Sequence, residues 1–131
     1  MTRENFASGA VWEDLVGYSR AVKVGAQVFV SGTTATDGDG GIVGIGDPHA
    51  QTLQCLRNIE TALTRAGARI SDVVRTRVFV VNIDDWEKVG RAHCAFFNAV
   101  RPASSMVEVS RLIAPELLVE IEADAIISHS L

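Results

Sequence analysis

Cysteine is scarce in this sequence, with only Cys55 and Cys94 among 131 residues. Two thiols make no disulfide framework, so the chain is expected to fold on its core alone in a reducing compartment. Basic charge is not in excess either. The net charge is −4 and the sequence pI about 5.3, so no global positive field draws in nucleic-acid phosphates. No stretch approaches the ~18 apolar residues that span a bilayer, and the amino terminus leads into no apolar run of signal-peptide length. These absences together predict a cytoplasmic, soluble protein with no membrane partner. Metal-ligand spacing is also missing. His49 and Cys55 lie six apart on a predicted helix and nearly opposite each other, His93 and Cys94 are adjacent, and His129 lies in the tail. No zinc-like pattern results, and no metal is expected.

What is present fits one domain spanning residues 1–131. Hydrophobic residues make up 47% and charged residues 21%, enough apolar surface for a core without staples. The first 17 residues show no clear period and read as an arm or loop. Arg20 to Val24 and Gln27 to Ser31 read as strands, joined by Gly25-Ala26 as a hairpin. A glycine-rich loop follows from Thr36 to Gly46. It lacks the ending of a phosphate-binding loop and the glycine spacing of a dinucleotide fingerprint, and its Asp37 and Asp39 do not continue as a calcium loop, so it reads as a turn.

Asp47-Pro48 then opens a helix, with Asp as N-cap and Pro at the first helical position. Its apolar stripe is Leu53, Leu56, Ile59, Leu63 and Ala66, and Gly67 stands where a left-handed cap belongs. Val73 to Val81 is rich in β-branched residues and predicts a buried strand. A second helix is predicted from Asp84, with Glu87 completing a capping-box pattern. Its stripe is Trp86, Val89, His93, Phe96 or Phe97, and Val100, and Pro102 stops it. Both cysteines fall in helices and read as small buried residues. Ser104 to Val109 and Leu117 to Ile127 are the last two strands.

The order is β-β-α-β-α-β-β, an α+β pattern. Two amphipathic helices each need an apolar surface, and one face of a sheet supplies it. In the last strand Val119, Ile121, Ala123 and Ala125 alternate with Glu120, Glu122 and Asp124, so one face goes to the core and the other carries carboxylates. Arg75 and Arg77 share a strand face and are expected opposite Glu120 and Glu122. That arrangement is either a ladder of cross-strand ion pairs or a setting that tunes a carboxylate for proton transfer.

Several segments in order resemble the Rid (YjgF-like, reactive-intermediate deaminase) family over nearly the whole chain. They are Gly17-Tyr18-Ser19-Arg20, Val30-Ser31-Gly32, residues 72–80, Ala95-Phe96-Phe97, Arg101-Pro102-Ala103, residues 107–112 and Val119-Glu120-Ile121-Glu122-Ala123. The resemblance implies a chorismate-mutase-like fold: a mixed sheet with two helices on one face. It also implies a homotrimer with clefts between neighbouring subunits. Active relatives hydrolyse imines and enamines and need no cofactor. Carried over by position, the resemblance implies Glu120 as the water-positioning glutamate, Tyr18 as the cleft tyrosine, Ser31 with Gly32 as the Ser-Gly segment, and Met106 as contributing a main-chain carbonyl to the cleft.

Ser104 departs from the pattern, standing where the family's substrate-binding arginine belongs, and Gly90 replaces an asparagine. The chain therefore resembles a subgroup lacking that arginine. A charge-assisted contact contributes about 1.5–3 kcal/mol, roughly tenfold to a hundredfold in binding. Tyr18 and Arg20 lie two apart in an extended segment and share a side, so Arg20 either replaces the lost anchor or pairs with a surface carboxylate. The expected ligand is a small molecule, and three functions remain. The first is an imine or enamine deaminase, or a related hydration or tautomerisation. The second is a non-catalytic metabolite-binding trimer. The third, which the negative charge disfavours, is an endoribonuclease.

Overall fold

The computed structural model describes residues 1–128; His129 lies outside the described residues. Its strands are β1 (Arg3–Phe6), β2 (Ala21–Val24), β3 (Gln27–Thr33), β4 (Val73–Val80), β5 (Ala103–Glu108) and β6 (Val119–Ile126). Its helices are α1 (Val11–Val16), α2 (Pro48–Arg65) and α3 (Trp86–Phe97). The strands form one sheet in the order β1-β2-β3-β6-β4-β5, with β4 and β5 parallel and every other neighbouring pair antiparallel. The sheet is therefore mixed, as expected.

Helix α2 begins as its sequence dictates: the Asp47 side chain accepts from Ala50 N at 3.0 Å, with Pro48 in the first turn. Gly67, at φ +84°, ends it in the left-handed region. Leu56, Ile59 and Leu63 are fully buried against Val28, Val78, Ile121 and Ala123 of the sheet. The alternation in β6 holds, with Val119, Ile121, Ala123 and Ala125 in the core and Glu120, Glu122 and Asp124 half-exposed on the other face. Helix α3 lies beside α2 and buries Val89, Ala92 and Phe97.

The first 17 residues are not a plain arm. β1 pairs with β2, and its four residues are too few and too exposed to show a period. α1 is held by the buried Glu13, whose carboxylate accepts from the backbone and hydroxyl of Ser8, and Gly17 closes it at φ 87°. The second long helix starts two residues late. Asn82, not Asp84, caps a short 3-10 turn over Ile83–Asp85, and Glu87 pairs with Arg91 instead of completing a capping box. Trp86, predicted to lead the apolar stripe, is 60% exposed and outside the buried face, and Cys94, predicted buried, is exposed, whereas Cys55 is buried. β6 opposes Phe79 to Glu120, Arg77 to Glu122 and Arg75 to Asp124, so the arginines stand one pair further along than expected. Arg77 bridges Glu122 and Asp124, each at 3.2 Å. These half-exposed pairs contribute little to stability.

Candidate functional site

Two groups of predicted residues occupy two places in the fold. The first is built on an irregularity in β3. Val30 pairs with Ala123 but Thr33 pairs with Ile121, so Ser31 and Gly32 both oppose the single residue Glu122. Such a bulge bends the strand and re-aims its neighbours. Here it brings the Gly32 backbone against the Glu120 carboxylate, closely enough that a Cβ at position 32 would overlap Glu120 Oε2. Glycine is required there by the close approach.

Arg20 fastens the bulge. Its Nη1 donates to Thr33 Oγ1 at 3.1 Å and its Nη2 to Gly32 O at 3.0 Å, while its Nε is buried without a partner among the described residues. The guanidinium carbon lies 5.8 Å from the centre of the Tyr18 ring, within cation–π range. Ser31 Oγ donates to Ser19 O at 2.6 Å, and Ser31 N donates to Arg20 O at 3.0 Å. Burial raises the Glu120 pKa above the ordinary carboxylate range; the Arg20 charge opposes that shift and Glu122 adds to it. The result is a partly buried carboxyl that binds a proton more readily than a surface one does. Tyr18, Arg20, Ser31, Gly32 and Glu120 thus form one cluster.

Ser104 and Met106 stand elsewhere, on the edge strand β5. Met106 packs half-buried against the core. Parallel register places Ser104 beside Thr76 of β4. Thr76 Oγ1 donates to Ser104 Oγ at 2.8 Å and stands 2.9 Å from His93 Nε2 of α3. With the threonine proton directed at Ser104, the ring is the donor to Thr76, which leaves the Ser104 proton free to point outward. Burial lowers the His93 pKa and keeps the ring neutral. Sequence reading placed His93 on the helix stripe but missed its link to Thr76 and Ser104, because the register of two parallel strands is not written in either strand alone.

Within one chain the two groups do not meet. Glu120 on β6 and Ser104 on β5 are separated by β4, two strand spacings or roughly 10 Å. Moreover, Glu120 lies on the uncovered face whereas Ser104 bonds toward the helices. That uncovered face also carries Phe29 and Val107, 43% and 47% exposed. Among the described residues no three His, Cys, Asp or Glu side chains stand together as metal ligands, and no helix is long and apolar enough to cross a membrane.

The profile of the family described as Endoribonuclease L-PSP matches residues 11–127, which takes in both groups. The chain belongs to the YjgF/RutC/Rid family. Similar proteins include an uncharacterized protein of Streptomyces coelicolor, 40% identical over 118 residues, covering 90% of this chain and 87% of that one. The 2-iminobutanoate/2-iminopropanoate deaminase of Salmonella typhimurium is 38% identical over 112 residues, covering 83% and 86% of the two chains. A Mycobacterium tuberculosis member of the YjgF/YER057c/UK114 family, known by crystal structure, superposes with a TM-score of 0.89 at 51% identity, covering 96% of this chain and 100% of that one. The one sheet with two main helices is therefore the Rid-family fold.

Proposed function

We propose that this chain is a small-molecule enzyme that hydrolyses a reactive imine or enamine, or carries out a related hydration or tautomerisation, in clefts between the subunits of a homotrimer. The observation that carries the reading is the Glu120 cluster: a carboxyl with a raised pKa, seated against a glycine bulge on a sheet face that its own chain leaves uncovered. A neighbouring subunit covering that face would bring its β5 edge, with Ser104 and Met106, toward Glu120. That arrangement supplies what separates the two groups within one chain. Cytoplasmic residence fits the free, exposed thiol of Cys94.

The chemistry asked of the site is light. A protonated imine is already electrophilic, so the site holds it and places water against its carbon. Glu120 accepts a proton from the attacking water and returns one to the nitrogen. The C–N bond of the resulting aminoalcohol then breaks as its hydroxyl passes its proton to Glu120, releasing ammonia and leaving a carbonyl. Burial tunes Glu120 for this exchange by bringing its pKa toward neutrality. Tyr18 donates from the cleft wall, the Ser31-Gly32 backbone shapes the floor, and the Met106 carbonyl accepts from the substrate nitrogen. Arg20 presents the N–H groups it does not spend on Gly32 and Thr33. No cofactor enters.

Ser104 favours a second reading, a metabolite-binding trimer without turnover in a subgroup lacking the arginine, because serine gives a carboxylate no charged partner. An endoribonuclease fits less well, since a net charge of −4 supplies no positive field to hold a phosphate backbone. Ammonia release from freshly generated 2-iminobutanoate separates these readings. Wild type should exceed the buffer rate, and Glu120→Gln should lose about a hundredfold or more of that excess at unchanged oligomer mass. Binding without ammonia release from wild type would support the second reading.

A further inference from the structure

Two features at the end of α3 are not explained by the Glu120 cluster. One is a groove of about 330 Å³ between the second half of α3 and the turn after it, with Gly90, His93, Phe97, Arg101 and Pro102 among its walls. The other is the backbone of Arg101. At φ 55° it is the one non-glycine among the described residues with positive φ. Its N–H donates to Phe97 O at 2.8 Å and closes the helix, at a position where glycine is the usual residue. A Cβ there costs stability that glycine would not, and retained outliers of this kind cluster at binding sites.

The cost places a guanidinium. Arg101 Nε donates to Asn98 O at 3.0 Å and Nη2 to Asn98 Oδ1 at 3.2 Å, which fixes its plane and leaves the Nη1 hydrogens uncommitted. It makes no salt bridge among the described residues. Attraction to the carboxyl end of the helix alone would be met equally well by a cation in ordinary backbone within the last turn.

The groove itself is selective. No carboxylate lines it, Gly90 contributes no side chain to fill it, and Phe97 and Pro102 give it apolar walls. His93 spends its Nε2 on Thr76 and adds no charge. One cation in so small a volume matches one negative charge; a polyphosphate would need several.

We propose that this groove binds small monocarboxylates, with Arg101 as their anchor. Pro102 lies two residues before Ser104, so the groove adjoins the β5 half of the proposed cleft. The guanidinium absent at position 104 is then supplied three residues earlier. That the bound carboxylate belongs to the reacting substrate rests on the deaminase reading; the binding site itself does not.

The test is the affinity of the full-length protein for 2-oxobutanoate, the stable ketone counterpart of 2-iminobutanoate, measured by calorimetric titration. Arg101→Gly should weaken binding by about tenfold or more with a melting midpoint equal to or above wild type, because glycine relieves the backbone. Arg101→Asn, which also tolerates left-handed backbone, should weaken it similarly and stands in if the glycine variant folds poorly. Arg57→Ala, at an exposed arginine of α2 outside both groups, should leave the affinity within about twofold, the spread of a distant, independent site. Unchanged affinity in both Arg101 variants, an equal loss in Arg57→Ala, or no binding by wild type would overturn the inference. Binding through Arg101 without ammonia release keeps the inference and sinks the deaminase reading. Ammonia release with binding indifferent to Arg101 does the reverse.

Discussion

Glu120 bears two opposing demands. Catalysis wants a carboxyl that exchanges protons near neutrality, while folding disfavours burying its charge. Its pKa is raised chiefly by burial, only partly offset by Arg20. A carboxyl whose pKa is higher folded than unfolded binds protons more tightly in the native state. Its favourable contribution is full below the ordinary glutamate range and is lost as pH rises through the raised value. Glu120→Gln, neutral at every pH, should therefore raise the melting midpoint at pH 7 relative to wild type, and the gain should shrink as pH falls through the raised value toward the ordinary glutamate range. Melting curves of both proteins from pH 4 to 8 check this. A glutamine variant less stable than wild type at pH 7 would mean that the attraction of Arg20 outweighs the burial cost.

Among the elements, α2 does more than fill the core. Gln51, fully buried, donates from Nε2 to Gly44 O at 3.2 Å and to Glu116 O at 2.9 Å, and its Oε1 accepts from Leu118 N at 2.9 Å. One amide thus joins the glycine-rich loop, the helix and the segment that leads into β6, two residues before Glu120. Gln51→Leu would strand three buried backbone groups and should cost about 2–4 kcal/mol, given roughly 1 kcal/mol or more for each lost partner. Urea unfolding measures it. Gln51 gave no sign of this role in the sequence, because its partners lie 65 and 67 residues away. α2 itself was legible because its signals are local: a capping Asp, a Pro, a 3.6-residue stripe and a closing Gly. β1 and α1 were not, since a four-residue edge strand and a six-residue helix owe their existence to a ladder with β2 and to the Glu13–Ser8 contacts. Trp86 matched the stripe of α3 by spacing, yet the helix starts there, beyond the reach of the sheet.

At the scale of the whole molecule, alternation in β6 correctly separated a core face from a carboxylate face, and the family resemblance correctly gave one mixed sheet with two main helices. Register was beyond reach. The β4–β6 register stands the arginine ladder one pair along and sets Phe79 opposite Glu120, while the bulge at Ser31-Gly32 brings Gly32 against the Glu120 carboxylate. The family's pattern nominated site residues by position, but the sequence did not show their division into two groups, with Glu120 and Ser104 roughly two strand spacings apart on opposite faces. That division makes a shared site the central claim: chemistry needs the Glu120 cluster of one chain and the β5 edge of another.

Subunit mixing tests the claim most directly. Glu120→Gln removes the proton-handling carboxyl, and Ser104→Trp blocks the edge; each alone should release little ammonia from 2-iminobutanoate. Unfolded and refolded together in equal amounts, a quarter of the interfaces in random trimers join an intact Glu120 to an intact Ser104, so activity should return to about a quarter of wild type. Mixed assemblies, verified by mass, that stay as inactive as their parents would contradict the account and place the whole site within one chain.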